Sequence, residues 1–265
     1  MKIKILAIGD VVGKPGRKAI AKLVPRLVER EKIEFVVANG ENSAGSGTGL
    51  GVQEAQQILE AGVDCITLGD HVWRQPDVVQ VLQRGDRVMR PANMPKVAAG
   101  RGWLEFDLPS GGRILVVNLI GRVFMDPPYN APFEAIDSIL ERPVQGPRLV
   151  LVDFHAEATS EKAAMARYLD GRITALVGTH THVQTSDNRI FPGGTAFISD
   201  LGMTGPHESI LGRKIEPVVY RMRTTMHARF DVATEDLRLQ GVLITADTAT
   251  GKAVAIERVD EPLTE

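Results

Sequence analysis

The chain has 265 residues, of which 43% are apolar and 24% charged, and a formal net charge of −2. Such a length buries a sizeable core in one or two domains. The near-neutral charge gives no field that would draw long nucleic acid or a membrane surface.

In chain order, "IKILAIG" (3–9) reads as a buried strand. The opening "MKIKILAIGD" breaks its apolar run at Asp10, too early for a secretory signal. Residues 15–32 read as an amphipathic helix, with Pro15 suited to an early helical position. "EFVVANG" (34–40) is a second strand, followed by the glycine-rich "SAGSGTGLG" and a helix near 52–61. "VDCITLG" (63–69) is a third strand and carries the one cysteine, Cys65, so a disulfide framework is excluded and a buried thiol is expected. A helix over about 75–83 follows. Strands at 103–108 and 113–121 come next, then "MDPPYNAP", a helix near 132–141, a strand at 148–155, a helix at 160–170 and a strand at 173–180. Later strands are expected at 195–199, 217–221, 226–233, 238–246 and 252–259. Alternating strands and helices predict βαβ units and a largely parallel arrangement. No linker divides the chain, so one α/β domain over 1–265 is expected, with two packed sheets flanked by helices. No run approaches the roughly 18 apolar residues of a spanning helix, and the expected location is the cytoplasm.

The ends of the apolar runs hold the chemistry. Asp10 follows the first, Glu41 and Asn42 the second, and Asp70 and His71 the third. His155 ends "LVLVDFH", and His180 and His182 end "ITALVGTHTH". Open α/β sheets place ligand sites outside the carboxyl ends of their strands. Carboxylate oxygen and imidazole nitrogen suit manganese, iron and zinc. Two divalent ions 3.5 Å apart would repel by roughly 19 kcal/mol at an effective dielectric near 20, so shared carboxylates are needed between them. An ion pair so held clamps a phosphate and presents hydroxide at neutral pH. In an extended segment residues i and i+2 face the same way, so His180 and His182 are expected to approach one cluster from one side.

These blocks resemble the calcineurin-like metallophosphoesterases. "GDVVG", "NGENSAG", "GDHVW", "DFHAEATSEK", "GTHTHVQTSD" and "SDLGMTGP" look most like the YmdB-like branch, and the resemblance covers nearly the whole chain. It implies a four-layer αββα sandwich of two mixed sheets around a dinuclear metal site. It also implies hydrolysis of 2′,3′-cyclic nucleotides or related small phosphodiesters by hydroxide bridging two metals. Iron or manganese are the implied metals, with zinc or magnesium as alternatives. Asp10, Asn42 and His182 would serve the first metal, and Asp70, His155 and His180 the second. Glu41 would bridge both, and His71 would be the general acid. Two positions depart from the superfamily pattern. Val12 stands where a histidine would be, with Asn42 as its replacement, and Asp70 stands for asparagine.

Several residues carry plainer readings. The loop "GSGTGLG" lacks the Lys-Ser/Thr of a P-loop and reads as a flexible rim. His207 reads as a surface turn and His227 as a structural residue of a late strand. Asp153 and Glu157 could orient imidazoles, Thr179 and Thr181 bond locally, and Asp200 could reach the rim. A regulatory protein that binds a cyclic nucleotide or a partner, with slow hydrolysis, is the alternative function. A small phosphodiester is the expected partner, and the sequence leaves room for a homo-oligomer.

Overall fold

The computed structural model describes residues 1–127, 129–143 and 148–264. The first half runs β1 (Lys2–Ile8), β2 (Asp10–Val11), α1 (Gly13–Glu31), β3 (Phe35–Asn39), α2 (Val52–Glu60), β4 (Cys65–Thr67) and α3 (Val78–Arg84). The middle runs β5 (Trp103–Asp107), β6 (Arg113–Ile120), α4 (Pro132–Leu140), β7 (Arg148–His155), α5 (Thr159–Tyr168) and β8 (Ala175–Thr179). The last part runs β9 (Arg189–Ile190), β10 (Ala196–Ile198), β11 (Met203–Pro206), α6 (Ile215–Thr224), β12 (Leu237–Asp247) and β13 (Lys252–Pro262).

The strands form two mixed sheets. In the first, β1, β3 and β4 are parallel, while β12 runs antiparallel to β1, β11 and β13. The short β2 joins through β11. In the second, β6, β7, β8 and β10 are parallel and the edges β5 and β9 are antiparallel.

Period-two alternation sorts side chains into layers. Along β1 and β3, Leu6, Ile8, Val36 and Ala38 face the helix-side core, which includes Ile20, Leu23, Val24 and Leu27 of α1. Their neighbours Ile5, Ala7, Phe35 and Val37 face the other way, into an inter-sheet core with Ile114, Val116, Leu151 and Val177. Cys65 is fully buried in that inter-sheet core, as expected. The far face of the second sheet packs Val117, Val152, Phe154 and Leu176 with Ile136 of α4 and Met165 of α5. The result is helix, sheet, sheet, helix: the αββα sandwich.

Two expected strands are absent. Residues 217–221 lie inside α6, where Glu216 sits in the first turn and Arg221 and Arg223 in the last, complementing the helix dipole. Only Val218 of that helix is buried, so the apolar "VVY" there is no core strand. Residues 226–233 are irregular: among the described residues their one ladder contact is the Arg213–Val232 bridge. His227 is therefore exposed and lies outside any strand.

Candidate metal centre

Parallel strands bring their carboxyl ends to one edge, and the donors collect there. His155 is the last residue of β7, His180 follows β8, Glu41 follows β3, and Asp70 follows β4. One ligand atom from each of Glu41, Asp70, His155 and His180 lies within 4.8 Å of all the others. His155 Nε2 is 3.0 Å from Asp70 Oδ1, 3.0 Å from His180 Nδ1 and 3.2 Å from Glu41 Oε1. One ring N–H cannot serve three such neighbours. A single cation among them satisfies all four, and donors on a shell of about 2.1 Å lie roughly 3.0–3.4 Å apart.

A second group adjoins the first through Glu41. Asn42 Nδ2 lies 3.3 Å from Glu41 Oε1, 3.5 Å from Asp10 Oδ1 and 3.2 Å from His182 Nε2. His182 Nε2 is 3.7 Å from Asp10 Oδ1. Asp10, Glu41, Asn42 and His155 are all buried. Glu41 thus touches both groups, the position a carboxylate shared between two ions would occupy. As oriented, the Asn42 amide turns nitrogen to this group and gives its oxygen to His71 Nδ1 at 2.8 Å. Ligation by Asn42 requires the amide to flip. Val12, at the position of the missing histidine, is buried and faces Gly205 and Gly212.

Each imidazole is oriented from behind. His155 Nδ1 meets Thr179 Oγ1 at 2.9 Å, and that hydroxyl donates to Asp153 Oδ1 at 2.8 Å. The ring therefore carries its proton on Nδ1 and keeps the Nε2 lone pair for the centre. His180 does the reverse: its Nε2 lies 3.1 Å from Glu157 Oε2 and its Nδ1 faces the centre. His182 Nδ1 lies 3.4 Å from the Leu211 carbonyl. Burial pushes the Asp153 carboxyl up to about 6 despite hydrogen bonds from Thr67 and Thr179. Burial also raises Asp10, against the opposing charges of His182 and His155. At Asp70 burial pushes the same way, but with no cation between them the adjoining His155 and His180 rings outweigh it and hold the carboxyl far below its usual range.

The backbone beyond β8 is not extended. His180 has φ 104° and His182 has φ 64°, so both histidines sit in the left-handed region. The expectation that i and i+2 of a straight segment share a face is corrected: the turn itself aims the two rings. Carboxylates pin this turn. His180 N–H donates to Asp10 Oδ2 at 3.1 Å, and Thr181 N–H and Oγ1 donate to Asp200 Oδ2 at 3.1 and 2.8 Å. Asp200 in turn pairs with Lys162 Nζ at 2.9 Å, both buried. Gly178 makes room, since a Cβ there would lie 1.9 Å from Ser199 O and 2.9 Å from Lys162 Cδ. Gly69 likewise passes against the centre, where a Cβ would lie 2.3 Å from the His155 ring.

His71 is the most open of the site histidines at 26% side-chain exposure, with Nε2 3.5 Å from Asp70 Oδ2. The glycine-rich loop is tied down: the Arg213 guanidinium donates to the carbonyls of Ser46 and Gly47, at 2.5 and 2.7 Å. His207 Nε2 bonds the Met203 carbonyl at 3.1 Å, a turn contact away from the donors. Lys162 and Arg213 were not singled out from the sequence. Lys162 had a readable signal, because with Met165 and Ala166 it occupies the inward i, i+3, i+4 stripe of α5.

Comparison with known proteins agrees with this geometry. The chain is 44% identical over 257 residues to the 2′,3′-cyclic-nucleotide 2′-phosphodiesterase of Bacillus subtilis (strain 168), covering 97% of this chain and 96% of the relative. The crystal structure of a hypothetical protein from Thermus thermophilus superposes with a TM-score of 0.89 at 39% identity, covering 98% of this chain and 99% of that one. A structure described as a novel phosphatase, from Mycoplasma pneumoniae, gives 0.90 at 34% identity, covering 99% of this chain and 94% of that one. Residues 6–259 match the family described as YmdB-like protein, and with donors gathered at the same blocks that suggested it, the chain belongs to that family.

Proposed function

We propose that the chain is a dinuclear-metal phosphodiesterase that hydrolyses 2′,3′-cyclic nucleotides, the whole length acting as one domain. The observation that carries this reading is the convergence of Glu41, Asp70, His155 and His180 within 4.8 Å, with Asp10, Asn42 and His182 joined to them through Glu41. The relative's activity supplies the substrate class. Two divalent ions held there, iron or manganese by the family resemblance, would supply hydroxide and offset phosphoryl charge. The protein's own groups do the rest. Asp10, Glu41 and Asp70 give up to three negative charges to hold the cations. Thr179 and Glu157 fix which nitrogen of His155 and His180 faces inward. His71, half open beside Asp70, holds a proton at Nε2 and delivers it to the departing ribose oxygen.

The test is elemental analysis of freshly purified protein, then a phosphodiester panel on the same sample. About two transition-metal equivalents and turnover of 2′,3′-cyclic nucleotides are expected. Protein that carries metal but leaves every cyclic nucleotide intact would sink the substrate assignment. Protein that takes up no metal would sink the mechanism.

A further inference from the structure

A cleft of about 740 Å³ opens between α4 and the segment leading into β5, and none of the metal-centre donors lines it. Its size falls within the range of small-molecule sites. Lys96, Arg101 and Arg142 line it, against one carboxylate, Glu134. None of these three cations has an ion-pair partner among the described residues. Arg142 is held 4.3 Å from the centroid of the Trp103 ring, so one wall presents a cation on an aromatic surface. Beneath them Arg90 is buried and its guanidinium donates to the carbonyls of Pro91, Pro95, Ala98 and Ala99, which stiffens the floor.

We propose that this cleft binds a nucleoside monophosphate at a site separate from the metal centre. Lys96 and Arg101 would meet the phosphate, and the Trp103–Arg142 wall would receive the base. Three cations alone would suit any small anion. The volume and the aromatic wall add a preference for an anion that carries a ring.

The test is calorimetric titration of the protein, both metal-loaded and after stripping with chelator, with AMP, ribose 5-phosphate and inorganic phosphate; the binding that persists without metal reports on the cleft. Arg101→Glu reverses one charge. Ser138→Trp fills the cleft from the exposed face of α4 and leaves the charges in place. Melting temperatures of both variants establish that they fold. AMP affinity is expected to fall about tenfold or more in each, since a charge-assisted contact or the space itself is lost. It should stay unchanged in His71→Ala, which alters only the metal centre. Ribose 5-phosphate and inorganic phosphate are expected to bind about tenfold more weakly than AMP. AMP binding that survives either cleft substitution, or that is lost in His71→Ala, overturns the proposal. So does phosphate binding as tight as that of AMP.

Discussion

Asp70 is the residue that most sets this centre apart from the superfamily pattern of asparagine. Its Oδ1 lies 3.0 Å from His155 Nε2 and 3.4 Å from His180 Nδ1, so its charge sits among the donors of one cation. A carboxylate there holds a metal more tightly than an amide and repels an anionic phosphate more. Asp70→Asn is expected to lose metal at a lower chelator concentration and to show a lower KM, both read on one preparation. No change in either would remove Asp70 from the ligand set. His71 differs in kind. Its ring contacts are to Asn42 at 2.8 Å and, more loosely, to Glu41 and Asp70. His71→Ala is therefore expected to cut kcat by about 10²–10⁴-fold with metal content intact, the usual span of proton donation. Loss of metal in that variant would make His71 a ligand instead.

At the level of elements, the decisive piece is the turn after β8. Two non-glycine residues in the left-handed region are costly, and they persist because surrounding groups hold them. Lys162 of α5 reaches Asp200, and Asp200 holds both polar groups of Thr181. One buried ion pair thus ties the helix after His155 to the turn bearing His180 and His182. Removing a partner of such a pair typically costs about 3–5 kcal/mol, because the remaining charge is left buried. Lys162→Met is expected to lower the free energy of unfolding by that order, read from denaturant unfolding. It should also weaken metal binding by about 10–100-fold, the usual effect of losing a group that orients ligands. A variant destabilised but unchanged in metal affinity, measured by chelator competition, would leave the pair a purely structural role.

At the scale of the whole molecule, the proposed metals would couple to folding. Asp10 begins β2, and Glu41 and Asp70 follow β3 and β4 of the first sheet, while His155 ends β7 and His180 and His182 follow β8 of the second. Cations held among them as proposed would clip the two sheets together across their common edge. Ligand that binds only the folded state stabilises it by about 2.7 kcal/mol at a hundred times its Kd. Stripping with chelator is expected to lower the melting temperature and abolish hydrolysis, with both restored by manganese or iron. Restored activity without restored melting temperature would mean that the metals do not bridge the sheets.

The layered fold was legible because β3, β6, β7 and the end of β1 after Lys4 are near-continuous apolar runs, the pattern that burial on both faces imposes. The convergence of Glu41, Asp70, His155 and His180 was legible because each lies within three residues of a strand's carboxyl end. Residues 217–221 were misread because a short run such as "PVVYR" has no period long enough to separate helix from strand, and its Glu216 and Arg223 flanks decided for helix. The sequence alone determined which residue types end which strands, since that depends only on local order along the chain. Tertiary structure decided how they meet. The left-handed turn at His180 and His182, the Lys162–Asp200 tie and the cleft beside Trp103 all depend on groups distant in sequence. Their positions follow from how two sheets and their helices pack, and periodicity along one strand carries no record of that.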